Sequence, residues 1–544
     1  MAKFTREELS RVFKTMKSKG RPCDGLSPRE LRDLEAITIE PLVEIFNYCL
    51  EAGTFPESWL QSKVIFNYKS GARNLPSNYR TIQIQQACMK LFSKCIAQRL
   101  NSFLEGQNIL HSSQFAYRMG HSTLGAAAIL FELAREKLKL RKSNRLFVCF
   151  VDFRKAFDWV QRKKLAEKLL RFGMPKAFID LILYIFNNNV MSVGTKYENV
   201  GSVKGTIGVL QGDPISCCLF NAFVSDLSAD LEGFGPTLQG IQIGNLSYAD
   251  DVALLAESAM ELNQMLKRLE RYCEENGLII NTEKTKVMVF GYGPIPLDSK
   301  TFHLQGVQLE IVNEFKYLGV IFTPQLTFTK HLEGIIARAK SRIGVVFANS
   351  PVKEVNLDLA KQLFQCYVQP ILEYCMIIWT ANYANSMEER LDVVQMVYFK
   401  RYCGLHPKTR NALVYFLTET APLSETLQLK AMNQKEQIKS TFDLNIEEFL
   451  LVKERNRSPP NVLYSENIVE KIPSKFWCHE AFVQLPSSFK YRRNLCVRIV
   501  DGYHRNNCQR LVENPKDFHL ESEDEKCKCK HCGKHLEWLH LCEI

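Results

Sequence analysis

Residues 247–256 read "SYADDVALLA". Two like charges, Asp250 and Asp251, stand side by side between "IQIGNLS" and "VALLA". Both flanks are β-compatible, so the pair is expected at a hairpin turn. Adjacent carboxylates repel unless a cation sits beside them. A lone Asp-Asp pair is ordinarily a solvated turn, because turns favour Asp. A third carboxylate sets this one apart. Residues 145–153, "RLFVCFVDF", form a short apolar run rich in β-formers that predicts a buried strand, and Asp152 stands at its end. Three carboxylates on neighbouring strand ends make a hard-oxygen site suited to Mg²⁺, or Mn²⁺ in its place, held by a few carboxylates plus substrate phosphates.

Working outward, residues 213–232 begin with Asp then Pro, a good helix start. Residues 258–276 put Leu262, Met265, Leu266, Leu269 and Tyr272 on one helical face, with Gly277 as the stop. Residues 278–290, "LIINTEKTKVMVF", read as strand, turn, strand. Residues 145–290 therefore predict an α+β layer with a small sheet. Residues 330–405 lean helical and aromatic, and "RNRSPPN" at 455–461 reads as a loop or linker.

The chain has 544 residues, more than one ordinary core accommodates, so two to four domains or subdomains are expected. Hydrophobic residues make up 46% and charged residues 24%, as in a soluble globular protein. A net charge of +11 favours an anionic partner, with nucleic acid the default, though a basic enzyme of other function has the same balance. The N-terminus is charged and helical in pattern, without a signal-peptide core, and no run approaches the roughly 20 apolar residues of a membrane span. Most of the 18 cysteines lie in apolar stretches and read as small hydrophobes. A reducing compartment, nucleus or cytoplasm rather than a secreted setting, is expected, with no membrane partner.

The motifs occur in a telling order. "FVDFRKAFDWV" (150–160), "GVLQGDPISCCLFNAFVSDL" (208–227), "SYADDVALLA" and "NTEKTKVMVF" (281–290) resemble the palm motifs of reverse transcriptases. "NYRTIQIQQACMKLFSKCIAQRL" (78–100) and "SSQFAYRMGHST" (112–123) resemble the fingers motifs. "FKYLGVIF" (315–322) and "VQPILEYCMIIWTANYANSMEERLDVVQ" (368–395) resemble the region after the palm in non-LTR (LINE-type) retrotransposon enzymes. The resemblance covers roughly residues 1–405.

It implies an RNA-directed DNA polymerase that transfers a nucleotide from a dNTP to a primer 3′-hydroxyl with two Mg²⁺ ions. Asp152 and Asp250 would be the principal ligands, with Asp251 completing the set. Phe157 falls where the family places the bulky side chain that crowds a ribose 2′-hydroxyl; an ordinary core phenylalanine is the plain alternative. Gln211 and Gly212 match the turn that packs against the template and incoming base pair. Lys69 and Arg80 match the positions that hold the triphosphate. Lys284 matches a lysine that protonates the leaving pyrophosphate, or is a solvated turn lysine. The chain departs from the family's usual pattern at Thr81, where a proline is common, at Ala116, where a glycine is usual, and at Leu210, where the family often has arginine.

"CKCKHCGKHLEWLHLCEI" (527–544) holds four cysteines and three histidines. Thiolates and imidazoles at short spacing suit tetrahedral Zn²⁺. Cys529, Cys532, His540 and Cys542 resemble the Cys-Cys-His-Cys element that ends many of these proteins, although the last spacing is short and His535 or Cys527 could complete the set. The plain alternative is a terminus whose cysteines are free. The interleaved Lys526, Lys528, Lys530 and Lys534 suit a basic knuckle that grips single-stranded nucleic acid.

The expected architecture is an α+β right-hand polymerase. It comprises an N-terminal extension and fingers (1–145), catalytic palm (146–295), end of palm and thumb-like helices (296–405), a C-terminal helical extension (406–525) and a zinc knuckle (526–544). RNA template, DNA primer or target, and dNTPs are the expected partners. Neither an endonuclease nor a ribonuclease H signature is legible, so a truncated element, a partial gene or a host-retained polymerase all fit. A decayed nucleic-acid-binding remnant is the rival reading.

Overall fold

The computed structural model describes residues 2–441 apart from 17–27, 70, 140–143, 195–198, 297–299, 351, 353–355 and 381–384. The chain forms two compact units, one of residues 1–319 with 323–326, the other of residues 320–322 with 327–544.

The first unit is built around a five-stranded sheet in the order Glu310–Ile311, Lys286–Phe290, Leu146–Asp152, Asp251–Ala256, Asn245–Tyr248. All neighbours are antiparallel except the first pair. Leu146 to Val151 are buried on both faces, which explains the unbroken apolar run. Phe147, Cys149 and Val151 enter the main core, alongside residues of helices Pro214–Val224 and Ala259–Asn276. On the opposite face Phe150 stacks on Phe315, ring centres 4.1 Å apart.

Helix Ala259–Asn276 starts where expected. The Ser258 hydroxyl accepts the Glu261 N–H, and Gly277 closes the helix at φ 70°. Helix Pro214–Val224 is capped by Asp213, whose carboxylate accepts the Ile215 N–H at 3.1 Å. The predicted strand, turn and strand of 278–290 is only half right. Lys286–Phe290 is a strand, but Ile280 makes an isolated bridge to Phe153. Its would-be partner leaves the sheet after Asp152 for the short 3₁₀ turn Ala156–Trp159, so the pairing has nothing to extend along.

A second, four-stranded sheet has the order Tyr79–Gln85, Gln61–Tyr68, Val190–Gly194, Asn199–Lys204. Arg80 lies on its first strand, opposite Asn67. Apart from the short strand Val320–Phe322, the other unit is helical where described: Thr329–Asn349, Leu357–Tyr367, Gln369–Glu373, Met376–Thr380, Asn385–Cys403, Asn411–Thr418 and Leu423–Thr441. Its core gathers Phe364, Trp379 and Tyr398, whose hydroxyl donates to the Ala360 carbonyl at 2.8 Å. Among the described residues no helix is long and apolar enough to cross a membrane. Cys49, Cys95, Cys149, Cys218 and Cys273 are free and buried, as small hydrophobes are. Cys527, Cys529, Cys532, His535, His540 and Cys542 lie outside the described residues, with most of the predicted 406–525 extension.

Candidate active site

The paired aspartates sit at a two-residue turn between Asn245–Tyr248 and Asp251–Ala256. Ala249 and Asp250 form the turn, and Asp251 opens the second strand opposite Tyr248. Ala249 adopts φ 57°, a left-handed conformation that costs a non-glycine residue about 1 kcal/mol. Sharp strain of this kind clusters at functional sites. On the other side Asp251 pairs directly with Asp152. Like charges directly opposite one another weaken a sheet.

Asp152 is held from behind. The Asn281 amide donates to its Oδ2 at 3.0 Å, and the Asn281 N–H donates to its carbonyl at 2.8 Å. The Asp152 N–H donates to the Thr285 hydroxyl at 3.2 Å. Neither Asn281 nor Thr285 stands out in sequence, since both read as turn residues of "NTEKT".

The electrostatics follow from crowding. Asp251 reaches solvent but is ringed by protein atoms. That desolvation, then the charges of Asp250 and Asp152, push its carboxyl up to about 6. Burial likewise raises Asp250, with Asp152 adding to the rise while a backbone hydrogen bond, Arg80 and Lys69 oppose it. Burial lowers Lys69, and Arg80 and Lys284 repel it, whereas Asp250 and Asp152 hold its proton. The sequence-predicted Asp152, Asp250, Asp251, Lys69, Arg80 and Lys284 therefore form one electrostatic neighbourhood. The Asp152–Asp251 corner also borders an open cleft of about 550 Å³ with Lys284, Lys286, Glu283 and Phe315.

Among the described residues no group of three or more acidic, imidazole or thiol side chains is gathered closely enough to hold a metal ion by itself. The three aspartates are an open set. That suits Mg²⁺, which needs only one or two carboxylates besides water and phosphate oxygens. Burial chiefly lifts the two carboxyls and neighbouring carboxylates add to the rise; a bound cation would favour their ionised forms.

Phe157 lies in the turn Ala156–Trp159, half-buried and stacked on Phe220 with ring centres 4.4 Å apart. Gln211 donates its side-chain amide to Asp158 Oδ1 at 2.7 Å. Gly212 has φ 111°, and a Cβ there would meet the Gln83 carbonyl at 2.5 Å. Glycine at 212 is thus required by backbone approach to the Arg80 strand. Buried Asp213 receives Gln85 Nε2 at 2.7 Å and is raised to about 6, chiefly by burial. Sequence reasoning passed over Asp158 and Asp213 as functional positions, though both stand inside the quoted motifs. At Ala116 φ is not positive, so the replaced glycine is no strain there; its carbonyl accepts the Asn221 amide at 2.7 Å.

The chain is similar to known proteins. Residues 68–322 match the family model described as reverse transcriptase (RNA-dependent DNA polymerase). The chain is 24% identical over 422 residues to the RNA-directed DNA polymerase from mobile element jockey of Drosophila melanogaster, covering 74% of this chain and 44% of the relative. It is 29% identical over 333 residues to the retrovirus-related Pol polyprotein from type-1 retrotransposable element R2 of Popillia japonica, covering 59% and 45%. A solved structure of telomerase from Candida albicans, in complex with the TWJ fragment of telomeric RNA, aligns with 76% of this chain and 68% of its own at 13% identity and a TM-score of 0.35. The chain spans less than half the length of the curated relatives it matches. Residues 68–322 are thus similar to reverse transcriptases, and the relatives the chain matches include polymerases of mobile and retrotransposable elements.

Proposed function

We propose that this chain is an RNA-directed DNA polymerase that adds deoxynucleotides to a primer 3′-hydroxyl on an RNA template. The observation that carries the reading is the Asp152–Asp251 cross-strand pair with Asp250 at the turn, only partly offset by the charges of Lys69 and Arg80. Asp152, Asp250 and Asp251 would hold two Mg²⁺ ions, which when bound neutralise charge on the attacking oxygen and the leaving pyrophosphate.

The chain's own residues do the rest. Lys69 and Arg80 bind the triphosphate, and their fixed charge stabilises the phosphoryl oxygens as transfer proceeds. Phe157 sits at the sugar and excludes a 2′-hydroxyl. Gln211 and Gly212 form the floor under the incoming base pair. Lys284 supplies a proton to the pyrophosphate. Asn281 and Thr285 keep Asp152 aimed at the site.

In this reading the right-hand division stands as fingers over 1–145, palm over 146–295 and thumb-like helices to 405. The helical extension and the tail follow, and Cys529, Cys532, His540 and Cys542 bind zinc. Primer extension with purified protein, RNA template, DNA primer, Mg²⁺ and dNTPs tests the core claim. Extension by the wild type and its loss in the Asp250→Ala, Asp251→Ala double variant is expected. A wild type that binds template–primer but never extends it would make the chain a binding remnant instead.

A further inference from the structure

Asp158 is a half-buried carboxylate to which the reading above gives no task. Its Oδ1 accepts the Gln211 Nε2 proton at 2.7 Å. Its carbonyl lies against Gly208, φ 80°, where a Cβ would approach to 2.6 Å. The two segments are stitched on either side: the Gly208 N–H donates to the Val160 carbonyl at 2.9 Å, and the Val209 N–H to the Phe157 carbonyl at 3.0 Å. Buried Arg162 clamps the loop from behind, donating to the Gly205 and Gly208 carbonyls at 2.8 and 2.9 Å.

Gln211 bridges this block to the other sheet. Its carbonyl accepts the Gln83 N–H at 2.7 Å, and Gln83 lies three residues after Arg80 on one strand. One end of Gln211 thus holds the Arg80 strand, and its side chain holds the turn that carries Phe157. An ionised carboxylate only accepts, so Asp158 also fixes which way the amide points: Nε2 toward itself, Oε1 away from it.

We propose that Asp158 is a positioning residue for nucleotide selection. Through Gln211 it sets the distance between Phe157, at the sugar, and Arg80, at the triphosphate. This rests on the reading of the site as a deoxynucleotide pocket. Burial raises its carboxyl above the usual carboxylate range, while the Gln211 hydrogen bond and then Lys155, Lys69 and Arg80 favour the charged form.

The test is single-nucleotide extension on an RNA template, with KM and kcat measured for dNTP and rNTP in wild type, Asp158→Ala and Asp158→Asn. Losing a hydrogen bond to a charged acceptor is expected to raise the dNTP KM about tenfold in Asp158→Ala with kcat little changed. Discrimination against rNTP should fall severalfold alongside. Asp158→Asn, whose Oδ1 still accepts, should recover most of both. Gln211→Glu sets a carboxylate against Asp158 and should reproduce the alanine phenotype, which keeps the test decisive where Asp158→Ala melts early. An active wild type with unmoved KM and discrimination in the alanine and glutamate variants overturns the inference alone. A wild type without extension overturns the polymerase reading and this inference with it.

Discussion

Two charged clusters of the first unit are treated oppositely. Behind the main sheet, Lys168 is 3% exposed. Its ammonium donates to the Phe223 carbonyl at 2.6 Å and Asp226 Oδ1 at 2.7 Å, and reaches the Tyr272 hydroxyl at 3.3 Å. Three donors meet three acceptors. Tyr272 in turn donates to Asp226 at 2.6 Å. At the strand ends, Asp152, Asp250 and Asp251 crowd together, and Arg80 and Lys69 only partly offset them. A charge whose complement is built into the chain holds the fold together. A charge left uncompensated waits for a complement from outside, and such perturbed groups mark functional sites.

The contrast breaks most visibly under mutation. Asp250→Ala with Asp251→Ala should reduce primer extension about a thousandfold or more, several kcal/mol of lost transition-state stabilisation. The melting temperature of the same variant without metal should hold or rise, because a mutual repulsion is removed. A large drop in melting temperature would mean these carboxylates are structural and would erase the distinction.

Lys168→Ala should do the reverse. It removes the cation from Asp226 and should cost about 3 kcal/mol, modest for a broken buried pair because Asp226 keeps the Tyr272 hydroxyl, Arg171 at 3.9 Å and contact with solvent. Denaturant unfolding measures that loss. Extension per folded molecule should stay near wild type, and a specific loss of kcat at full folding would place Lys168 in the chemistry instead.

What the sequence made legible follows the same division. Asp152, Asp250 and Asp251 could be read because Asp152 closes and Asp251 opens a short apolar strand, with Asp250 in the turn before it, and strand pattern is local. Phe157, Gln211 and Gly212 were legible as motif positions, but the reason for Gly212 was not: it lies in the Gln83 carbonyl, 129 residues earlier in the chain. Asn281 was hidden because an asparagine in a turn ordinarily serves the turn. Here its amide serves Asp152. Residues 278–280 looked like a strand because their apolar character is real, yet the partner turns away after Asp152. Alternation specifies a face, not the length of the neighbour it pairs with.

The smallest effect sharpens the comparison through pH. The Asp251 carboxyl is raised from 3.8 to about 6. The folded state therefore holds that proton more tightly than the unfolded chain. Stability from this group is full below about 4 and is lost as pH rises through about 6, opposite to a carboxylate stabilised by a salt bridge. Without metal, the melting temperature of the wild type should fall across that window relative to Asp251→Asn, which has no proton to lose. Mg²⁺ binds the ionised carboxylates, so its thermal shift should be slight at pH 5 and grow toward pH 7.5. The Lys168 cluster should contribute no such metal-dependent shift, so Lys168→Ala should shift with Mg²⁺ as much as the wild type. A thermal shift independent of pH, or one retained in Asp251→Asn, would place the cation elsewhere than the strand-end pair.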